Sequence, residues 1–329
     1  MFKKIILLLI VFAIIFPALV KLKNSNNSKT SKLTKVTVLL DWFPNTNHTG
    51  LYVAREKGYF KDNDLDVDII QPSEGDNLQI LASNKADFAV SSQESITLAR
   101  AKDLPVVSLA AIIEHNTSAF ASLESSNIRT VKDFEGKRYG GWGSPIEEAT
   151  LKALSNKFGA DYSKIKNITI GTTDFFTTIG KDSDFQWIFY GWDGIEAKRR
   201  GIALNTIMLK DLLPVLDYYT PNLATSENNL KNKKEMVKKF MSAVIKGYDF
   251  AIKNPSDSAE ILMSSAPELN KDLVRESQKS LSPLYQDDSP KWGIEKESVW
   301  KSYADWLYSQ KLIDKNIVAK DAFTNEFLD

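Results

Sequence analysis

The residues best suited to hold a small molecule follow a short apolar run near the middle of this sequence. Tyr190 and Trp192 offer flat aromatic faces, and Asp193 and Glu196 offer carboxylates within the same seven residues. Aromatic faces stack on planar heterocycles, and a carboxylate accepts a hydrogen bond from an exocyclic amine or pairs with a protonated ring nitrogen. Glu196 is the preferred polar anchor, because helical spacing places it one turn beyond Trp192, whereas Asp193 is predicted to cap the helix.

A glycine-rich turn, YGGWGSPIEE, offers a second set of contacts through its backbone. Glycines allow backbone amides to approach a ligand, and Ser144, Pro145 and Glu147 have the pattern of a capped helix start. Amides that converge at a helix N-terminus favour an anionic or acceptor group on the ligand. A purely structural strand-to-helix turn is an equally good interpretation. The candidate binding residues in this turn are Gly140, Gly141, Trp142, Gly143 and Ser144.

A third candidate loop carries Trp42. The apolar run 36–40 predicts a buried strand, and the polar cluster 45–49 leads into a helix that ends at Gly58. Loops at the carboxyl ends of parallel strands are where open α/β sheets bind ligands. The alternative is that Trp42 packs in the core, as large aromatic residues usually do.

Three further residues complete the candidate binding set. Asn47 belongs to the polar cluster after Trp42, Gln93 follows the third predicted strand beside Glu94, and Tyr219 lies in an aromatic link. The first-lobe pair Gln93 and Glu94 offers hydrogen bonds, although such a pair is usually only an exposed helix start. His48 is predicted to make a contact at the start of its helix rather than to bind a metal.

The order of the elements predicts an α/β fold with two lobes. Alternating strands and helices imply a mostly parallel sheet in each lobe, with the ligand cleft between the lobes. The polar stretch 114–125 predicts the crossing between lobes, 218–221 predicts the return crossing, and the helical pattern after Glu227 predicts helices that pack back on the first lobe. The predicted domains are 1–21 as a signal or membrane anchor, 22–33 as a flexible tether, 34–120 with 222–329 as a discontinuous first lobe, and 121–221 as the second lobe.

Composition excludes several classes of function. Lysine plus arginine equals aspartate plus glutamate at 42 each, so net charge provides no attraction to nucleic acid. The absence of cysteine removes disulfides, iron-sulfur clusters and thiolate zinc sites, and two histidines are too few for a His-rich metal centre. No nucleophile has a base beside it in a known motif, so the sequence predicts no catalytic residue, no metal and no cofactor.

The N-terminus predicts an extracytoplasmic protein. Lys3 and Lys4 precede sixteen uncharged residues, 5–20, without a small-x-small cleavage site. We therefore expect an uncleaved membrane anchor, which places the globular part on the outer face of the cell membrane. The alternative is a cleaved signal, which would make the protein periplasmic or secreted.

Three motifs resemble one family. The segments LDWFPNTNHTGLYVAREKGYF, YGGWGSPIEE and WIFYGWDGIE look like those of the thiamine-pyrimidine (ThiY-like) periplasmic binding proteins and the related NMT1/THI5-like pyrimidine synthases. The resemblance runs in the family's order from about Lys35 almost to the C-terminus. It implies a type II periplasmic binding protein fold, an aminopyrimidine stacked between Trp42 and the second lobe, an ABC permease and ATPase as partners, and a monomer.

The related synthases use a lysine-bound pyridoxal phosphate, a histidine and a cysteine-rich iron motif. The alignment that the resemblance implies puts Ser91 in place of that lysine and Ser95 in place of that histidine, and the cysteines are missing. We therefore expect binding without turnover. The alternatives are a pyrimidine-precursor synthase and a binder of nitrate-type or sulfonate-type anions, for which arginine rather than Trp42 and Glu196 would be expected.

Overall fold

The computed structural model describes residues 32–71, 76–171 and 173–329. The predicted anchor, 1–21, and the predicted tether as far as residue 31 lie outside these ranges. No helix within them combines the length and the apolar content needed to cross a bilayer. Residues 34–329 form one compact unit.

The described residues form two five-stranded sheets of the same plan. The strands are β1 (Thr34–Leu39), β2 (Leu65–Ile70), β3 (Phe88–Ser91), β4 (Val106–Ala111), β5 (Ser118–Leu123), β6 (Arg138–Gly141), β7 (Lys166–Thr169), β8 (Phe185–Phe189), β9 (Leu204–Met208) and β10 (Asn222–Ser226). The first sheet has the order β2-β1-β3-β10-β4 and the second has the order β7-β6-β8-β5-β9. In each sheet three neighbouring strands are parallel, and one strand is antiparallel to both of its neighbours. The predicted two-lobe α/β class, with mostly parallel sheets, is confirmed.

Helices cover both sheets. They are α1 (Thr49–Glu56), α2 (Tyr59–Asp62), α3 (Asn77–Ala82), α4 (Gln93–Ala101), α5 (Pro145–Phe158), α6 (Phe175–Thr178), α7 (Ile195–Arg199), α8 (Leu209–Leu212), α9 (Glu227–Asn232), α10 (Lys234–Lys253), α11 (Pro255–Ser265), α12 (Lys271–Leu281) and α13 (Glu297–Ser309). A π-helical turn, Tyr190–Gly194, precedes α7.

Two strands differ from the sequence prediction, and both are antiparallel strands beside a crossing. β5 lies inside the segment 114–125 that was predicted to be only a crossing, and β10 begins directly after Pro221. Nearly all of their residues are buried, so neither strand alternates between apolar and polar residues, and the periodicity gives no signal.

The second sheet begins at Ser118, the first residue of β5. We propose that the two lobes divide at the crossings 112–117 and 216–221.

Helix α10, which follows β10 and α9 in the chain, packs on the first sheet. Val237 and Phe240 of α10 are fully buried with Val36 and Phe88 of the sheet, and the Phe88 and Phe240 rings stack with centroids 3.7 Å apart. The apolar face of α10 therefore completes the core of the first sheet. This core fixes the ends of the strands and the loops that follow them.

The contact between α1 and α10 depends on glycine. A Cβ atom added at Gly247 would lie 2.1 Å from the carbonyl oxygen of Gly50, so any side chain there forces the two helices apart. We expect Gly247→Ala to lower the free energy of unfolding by about 1–3 kcal/mol, as overpacking typically does. Denaturant unfolding measures the change, and Ser242→Ala on the same helix is the control, with an effect within about 0.5 kcal/mol. Equal stability of the two variants would contradict this close approach.

Candidate functional site

A cavity of about 930 Å³ lies between the two sheets. Its lining includes residues that follow each of the parallel strands β1, β2, β3, β6, β7 and β8, together with Tyr218, Thr220 and Pro221 of the return crossing. This is the position that open α/β sheets use for ligands, because loops at the carboxyl ends of parallel strands meet at one edge.

Four large aromatic side chains in this lining are exposed. Trp42, Phe43, Trp142 and Phe189 are 42, 62, 37 and 42% exposed, respectively, and all four line the cavity. The Trp142 ring packs edge-on against Trp187, with centroids 5.5 Å apart, which fixes the direction of its free face. Such a concentration of exposed aromatic surface in one concave place is typical of a ligand-binding groove.

The structure brings together seven of the twelve predicted binding residues. Those that line the cavity are Trp42, Asn47, Gly140, Gly141, Trp142, Trp192 and Glu196; those outside its lining are Gln93, Gly143, Ser144, Tyr190 and Tyr219. Trp42 is therefore exposed in the cavity. The alternative considered from the sequence, that Trp42 packs in the core, is wrong.

Gln93, at the start of α4, and Tyr219, in the return crossing, form hydrogen bonds to each other. The Gln93 side-chain oxygen accepts a hydrogen bond from Tyr219 N at 2.9 Å, and Gln93 N donates to the Tyr219 carbonyl at 3.0 Å. The Tyr219 hydroxyl accepts from Lys296 N, and both side chains are buried. Their polar atoms are thus committed to the fold, while Glu94 and Tyr218 face the cavity instead.

Near Trp192, the aromatic residue that lines the cavity is Phe189 and not the predicted Tyr190. Tyr190 is half-buried, and its ring lies over Gly194, where an added Cβ would be 2.4 Å from it. Phe189, the last residue of β8, faces the cavity with Trp187, two residues earlier. A strand places alternate residues on the same face, so the alternation of β8 could have identified Phe189 and Trp187.

The glycine-rich turn forms the predicted capped helix start, but its amides already have an acceptor. Ser144 caps α5, and the carboxylate of Glu147 accepts hydrogen bonds from the N–H groups of Trp142, Gly143 and Ser144 at 3.1, 2.8 and 2.9 Å. The amides that were expected to meet a ligand acceptor therefore meet the chain's own carboxylate.

The two carboxylates after β8 differ in their partners, and Glu196, the anchor predicted from helical spacing, is the one whose oxygens are engaged. Glu196 lies between Arg199 and Arg200, with N–O distances of 2.7 and 2.5 Å, and hydrogen bonds from these arginines lower its pKa. Asp193 receives one long backbone hydrogen bond, 3.3 Å from Phe189 N. Burial, assisted by the charges of Asp174 and Glu196, raises the pKa of Asp193 to about 6. Asp193 is thus the carboxylate with free acceptor capacity in the cavity.

Glu94 is the corresponding carboxylate at the start of α4. It is half-buried in the cavity wall, and Tyr218 donates to it through a long 3.3 Å hydrogen bond. Burial raises the pKa of Glu94 to about 7, although the Tyr218 hydrogen bond acts in the opposite direction. An acid held at such a pKa exchanges its proton readily near neutral pH, which suits a partner that carries an amine or a ring nitrogen.

Glu94 should make the stability of the protein depend on pH. Its pKa is raised in the folded state, so its stabilising contribution is complete below about pH 4.5 and is lost as the pH rises through about 7. At pH 8 we expect the free energy of unfolding of Glu94→Gln to exceed that of the wild type by on the order of 2 kcal/mol, after allowance for the partial exposure of Glu94, so that the variant unfolds at a higher temperature. At pH 4.5 the two proteins should unfold at nearly the same temperature.

Thermal unfolding between pH 4.5 and 8 measures the effect of that substitution. The control is Glu148→Gln, because Glu148 is exposed and pairs with Lys152. A difference between Glu94→Gln and the wild type that does not change with pH would show that folding does not raise the pKa of Glu94.

Carboxylates outnumber cationic groups in the cavity lining. The acidic residues are Asp41, Asp76, Glu94, Asp174, Asp193 and Glu196, and the basic residues are Arg199 and Arg200. Both arginines pair with Glu196, and the guanidinium of Arg200 also lies 4.3 Å from the centroid of the Phe176 ring. The electrostatic potential of the cavity therefore favours a ligand that donates hydrogen bonds or carries positive charge, and disfavours a bare anion.

His48 fixes the loop that carries Trp42. Its ring is fully buried, Nδ1 accepts from Asn45 N at 3.2 Å, and Nε2 lies 2.7 Å from the Asp41 carboxylate. Because Nδ1 is an acceptor, Nε2 carries the proton and donates a hydrogen bond to Asp41. The predicted role at the start of the helix is confirmed.

Away from the cavity, one group of described residues has donor atoms close enough to hold a cation. Glu114, His115 and Asp288 each place one such atom within 4.8 Å of the others. The ammonium of Lys296 lies 3.2 Å from Glu114 and already supplies positive charge there, and the other nitrogen of His115 lies 2.7 Å from Asp217.

Comparison with known proteins identifies the family. The profile of the family described as NMT1/THI5 like matches residues 45–258. A formylaminopyrimidine-binding protein of Halalkalibacterium halodurans is 31% identical over 98% of this chain and 98% of its own length. A 4-amino-5-hydroxymethyl-2-methylpyrimidine phosphate synthase of Legionella pneumophila is 24% identical over 91% of this chain and 94% of its own.

Among solved structures, the fold is that of periplasmic binding proteins. The alkanesulfonate-binding protein SsuA of Xanthomonas axonopodis pv. citri, bound to MOPS, superimposes with a TM-score of 0.68 at 14% identity, covering 89% of this chain and 99% of that one. The likeness concerns the fold alone, because the identity is low. The match to the family profile and the 31% identity over nearly the whole chain establish that this chain belongs to the NMT1/THI5-like family, and the superposition shows that it has the periplasmic binding protein fold.

Proposed function

We propose that this protein is the extracytoplasmic substrate-binding component of an ABC importer and that it binds an amino-substituted pyrimidine without turnover. The observation that carries the proposal is the joint presence, in one cavity, of exposed aromatic faces and an excess of carboxylates. A flat heterocycle with an exocyclic amine uses both features, since its faces stack on the rings and its N–H groups donate to the acids. The similarity to the formylaminopyrimidine-binding protein supports the same ligand class, a formylaminopyrimidine or hydroxymethylpyrimidine.

The proposed contacts come from both sheets. Trp42, from the loop after β1, and Trp142, after β6, supply stacking faces, and Asp193 and Glu94 supply the acceptors. Asn47, Trp192 and the backbone of Gly140 and Gly141 complete the lining that the sequence predicts.

Closure of the lobes over the ligand is part of the proposal. At about 930 Å³ the cavity is near the upper end of the usual range for ligand pockets, roughly 300–1,000 Å³, and a pyrimidine alone would not fill it. The two crossings are joined by Asp217, whose carboxylate accepts from Asn116 N at 2.9 Å and contacts His115 Nδ1 at 2.7 Å. Rotation about these paired crossings brings the aromatic faces together, and the closed form is the state that a permease would bind.

Binding without turnover is supported by the composition of the lining. Among the described residues around the cavity there is no lysine, histidine or cysteine. Ser91 and Ser95 both line it, and the hydrogen-bond partner of the Ser95 hydroxyl is the Ser92 hydroxyl, which donates at 3.1 Å, and not a base. The membrane anchor, the monomeric state and the permease and ATPase partners remain proposals from the sequence.

The test is a binding assay on the purified full-length protein. Isothermal titration and thermal unfolding should show saturable binding of 4-amino-5-hydroxymethyl-2-methylpyrimidine or its formylated aminomethyl analogue, and no response to MOPS, methanesulfonate or nitrate. Binding of a sulfonate or nitrate, with no response to either pyrimidine, would overturn the proposal. A borohydride-trapped imine with pyridoxal phosphate at a defined lysine, together with turnover, would favour a synthase.

A further inference from the structure

Glu147 is a buried carboxylate with an unusual number of donors around it. Only 3% of the residue is exposed, and Oε1 accepts from the Tyr139 hydroxyl at 2.6 Å and from Trp142 N, while Oε2 accepts from Gly143 N and Ser144 N. Four donors converge on one side chain. A capping box requires only the bond to the amide of the N-cap residue, so three of these bonds exceed that role.

The donors form a site of the kind that binds anions. Three successive backbone N–H groups point to one place at the N-terminus of the 14-residue helix α5, where the helix dipole also favours negative charge. Gly141 is shaped to admit the carboxylate, since an added Cβ at Gly141 would lie 2.4 Å from Glu147 Oε1. The chain therefore builds an anion cradle, defined by the N–H groups of residues 142–144, and fills it with its own side chain.

The cradle adjoins the ligand cavity through Trp142. Gly140, Gly141 and Trp142 line the cavity, whereas Gly143 and Ser144, one and two residues later, do not. The Trp142 backbone is held by Glu147 and its ring is held edge-on by Trp187. Loss of the carboxylate would thus free three donors next to the cavity and release one of its aromatic walls.

We propose that Glu147 determines ligand specificity as a built-in anion: it occupies the amide cradle after β6, orients Trp142 for stacking, and prevents the cavity from accepting anionic ligands. The inference rests on the proposed function, because it explains how the amides beside the cavity are kept from anions while the cavity binds an amine-bearing ring. Glu147 acts as a positioning residue, since it lies behind the glycine-rich turn and not in the cavity lining.

The test uses full-length Glu147→Ala with sulfate, methanesulfonate and acetate as probes. We expect each probe to raise the unfolding temperature of the variant in a saturable way and to leave the wild type unchanged. Aminopyrimidine affinity of the variant should fall about tenfold, equivalent to about 1.4 kcal/mol, and should recover partly when acetate fills the cradle. Indole fluorescence should report the release of Trp142. The spectral change caused by Glu147→Ala should be present in the protein with Trp142 and absent when the same substitution is made in Trp142→Phe.

Matched variants separate this role from simple loss of a helix cap. Glu148→Ala, the next residue of α5, is exposed and pairs with Lys152, so it should show neither anion binding nor loss of affinity. Glu147→Gln keeps the side-chain shape without the charge and should respond to anions less than Glu147→Ala. A variant that folds only with sulfate or acetate present would also support the cradle.

Other outcomes overturn the inference. A folded Glu147→Ala that does not respond to any anion, or variants that stay unfolded in every anion, would show that Glu147 is only a structural cap. Sulfonate binding by the wild type would show that Glu147 does not exclude anions, which also overturns the inference. Failure of the wild type to bind any aminopyrimidine would instead count against the proposed function, and an anion response in the variant would still support the cradle.

Discussion

Trp42→Ala is expected to weaken aminopyrimidine binding about 5- to 150-fold, and Trp142→Ala is expected to do the same. Stacking of a flat base on an aromatic side chain contributes about 1–3 kcal/mol, and both indoles keep more than a third of their surface exposed in the cavity. Because each is exposed without a ligand, truncation leaves little cavity in the core, so the free energy of unfolding should change little. Isothermal titration gives the affinities, and thermal unfolding gives the stabilities.

The control for both substitutions is Tyr308→Ala. Tyr308 is 50% exposed, like the two tryptophans, but lies outside the cavity lining. Its removal should leave the affinity unchanged. If Trp42→Ala and Trp142→Ala bind the pyrimidine as tightly as Tyr308→Ala does, the ring does not stack on either indole.

Asp193→Asn is expected to weaken the same binding about 10- to 150-fold, whereas Glu196→Gln should cost at most a few fold. Hydrogen bonds to charged groups contribute about 1.5–3 kcal/mol, and Asp193 has free acceptor capacity toward the cavity. Glu196 has its oxygens engaged by Arg199 and Arg200, so it has little left to offer a ligand amine.

The comparison of the two substitutions decides between two assignments of the polar anchor. Both residues line the cavity and lie three positions apart, so they differ in their partners and not in their location. Isothermal titration at pH 7.5, above the raised pKa of Asp193, keeps both acids ionised. A larger loss for Glu196→Gln than for Asp193→Asn would restore the assignment made from helical spacing alone.

The loop side chains, rather than the fold, determine the charge of the cavity. The alkanesulfonate-binding protein SsuA and this chain share the fold, and the position of a cavity follows from where the parallel strands end. The charge of that cavity follows from side chains in the loops. Here six acidic residues line it, and a seventh, Glu147, fills the amide cradle beside it.

Much of the fold could be predicted from the sequence, because periodicity and capping act over a few residues. The buried run before Trp42, the capped start of α5 and the apolar stripe of α10 each lie at the predicted place. The two antiparallel strands β5 and β10 could not be predicted in this way. They are buried on both faces and leave no alternation, so their positions depend on strands far away in the chain.

The sequence by itself determined which segments meet at the site, since the loops after β1, β6 and β8 carry the residues with aromatic and polar chemistry. Only the tertiary structure decided which side chain in each loop faces the cavity. Glu94 lies in the cavity where Gln93 was expected, Phe189 where Tyr190 was expected, and Asp193 has the free carboxylate in place of Glu196. The physical reason is that neighbouring residues differ in direction by about 100° on a helix and 180° on a strand. Partners also determine which polar atoms remain free, whether they lie one helical turn away, like Arg199, or far away in the chain, like Lys296.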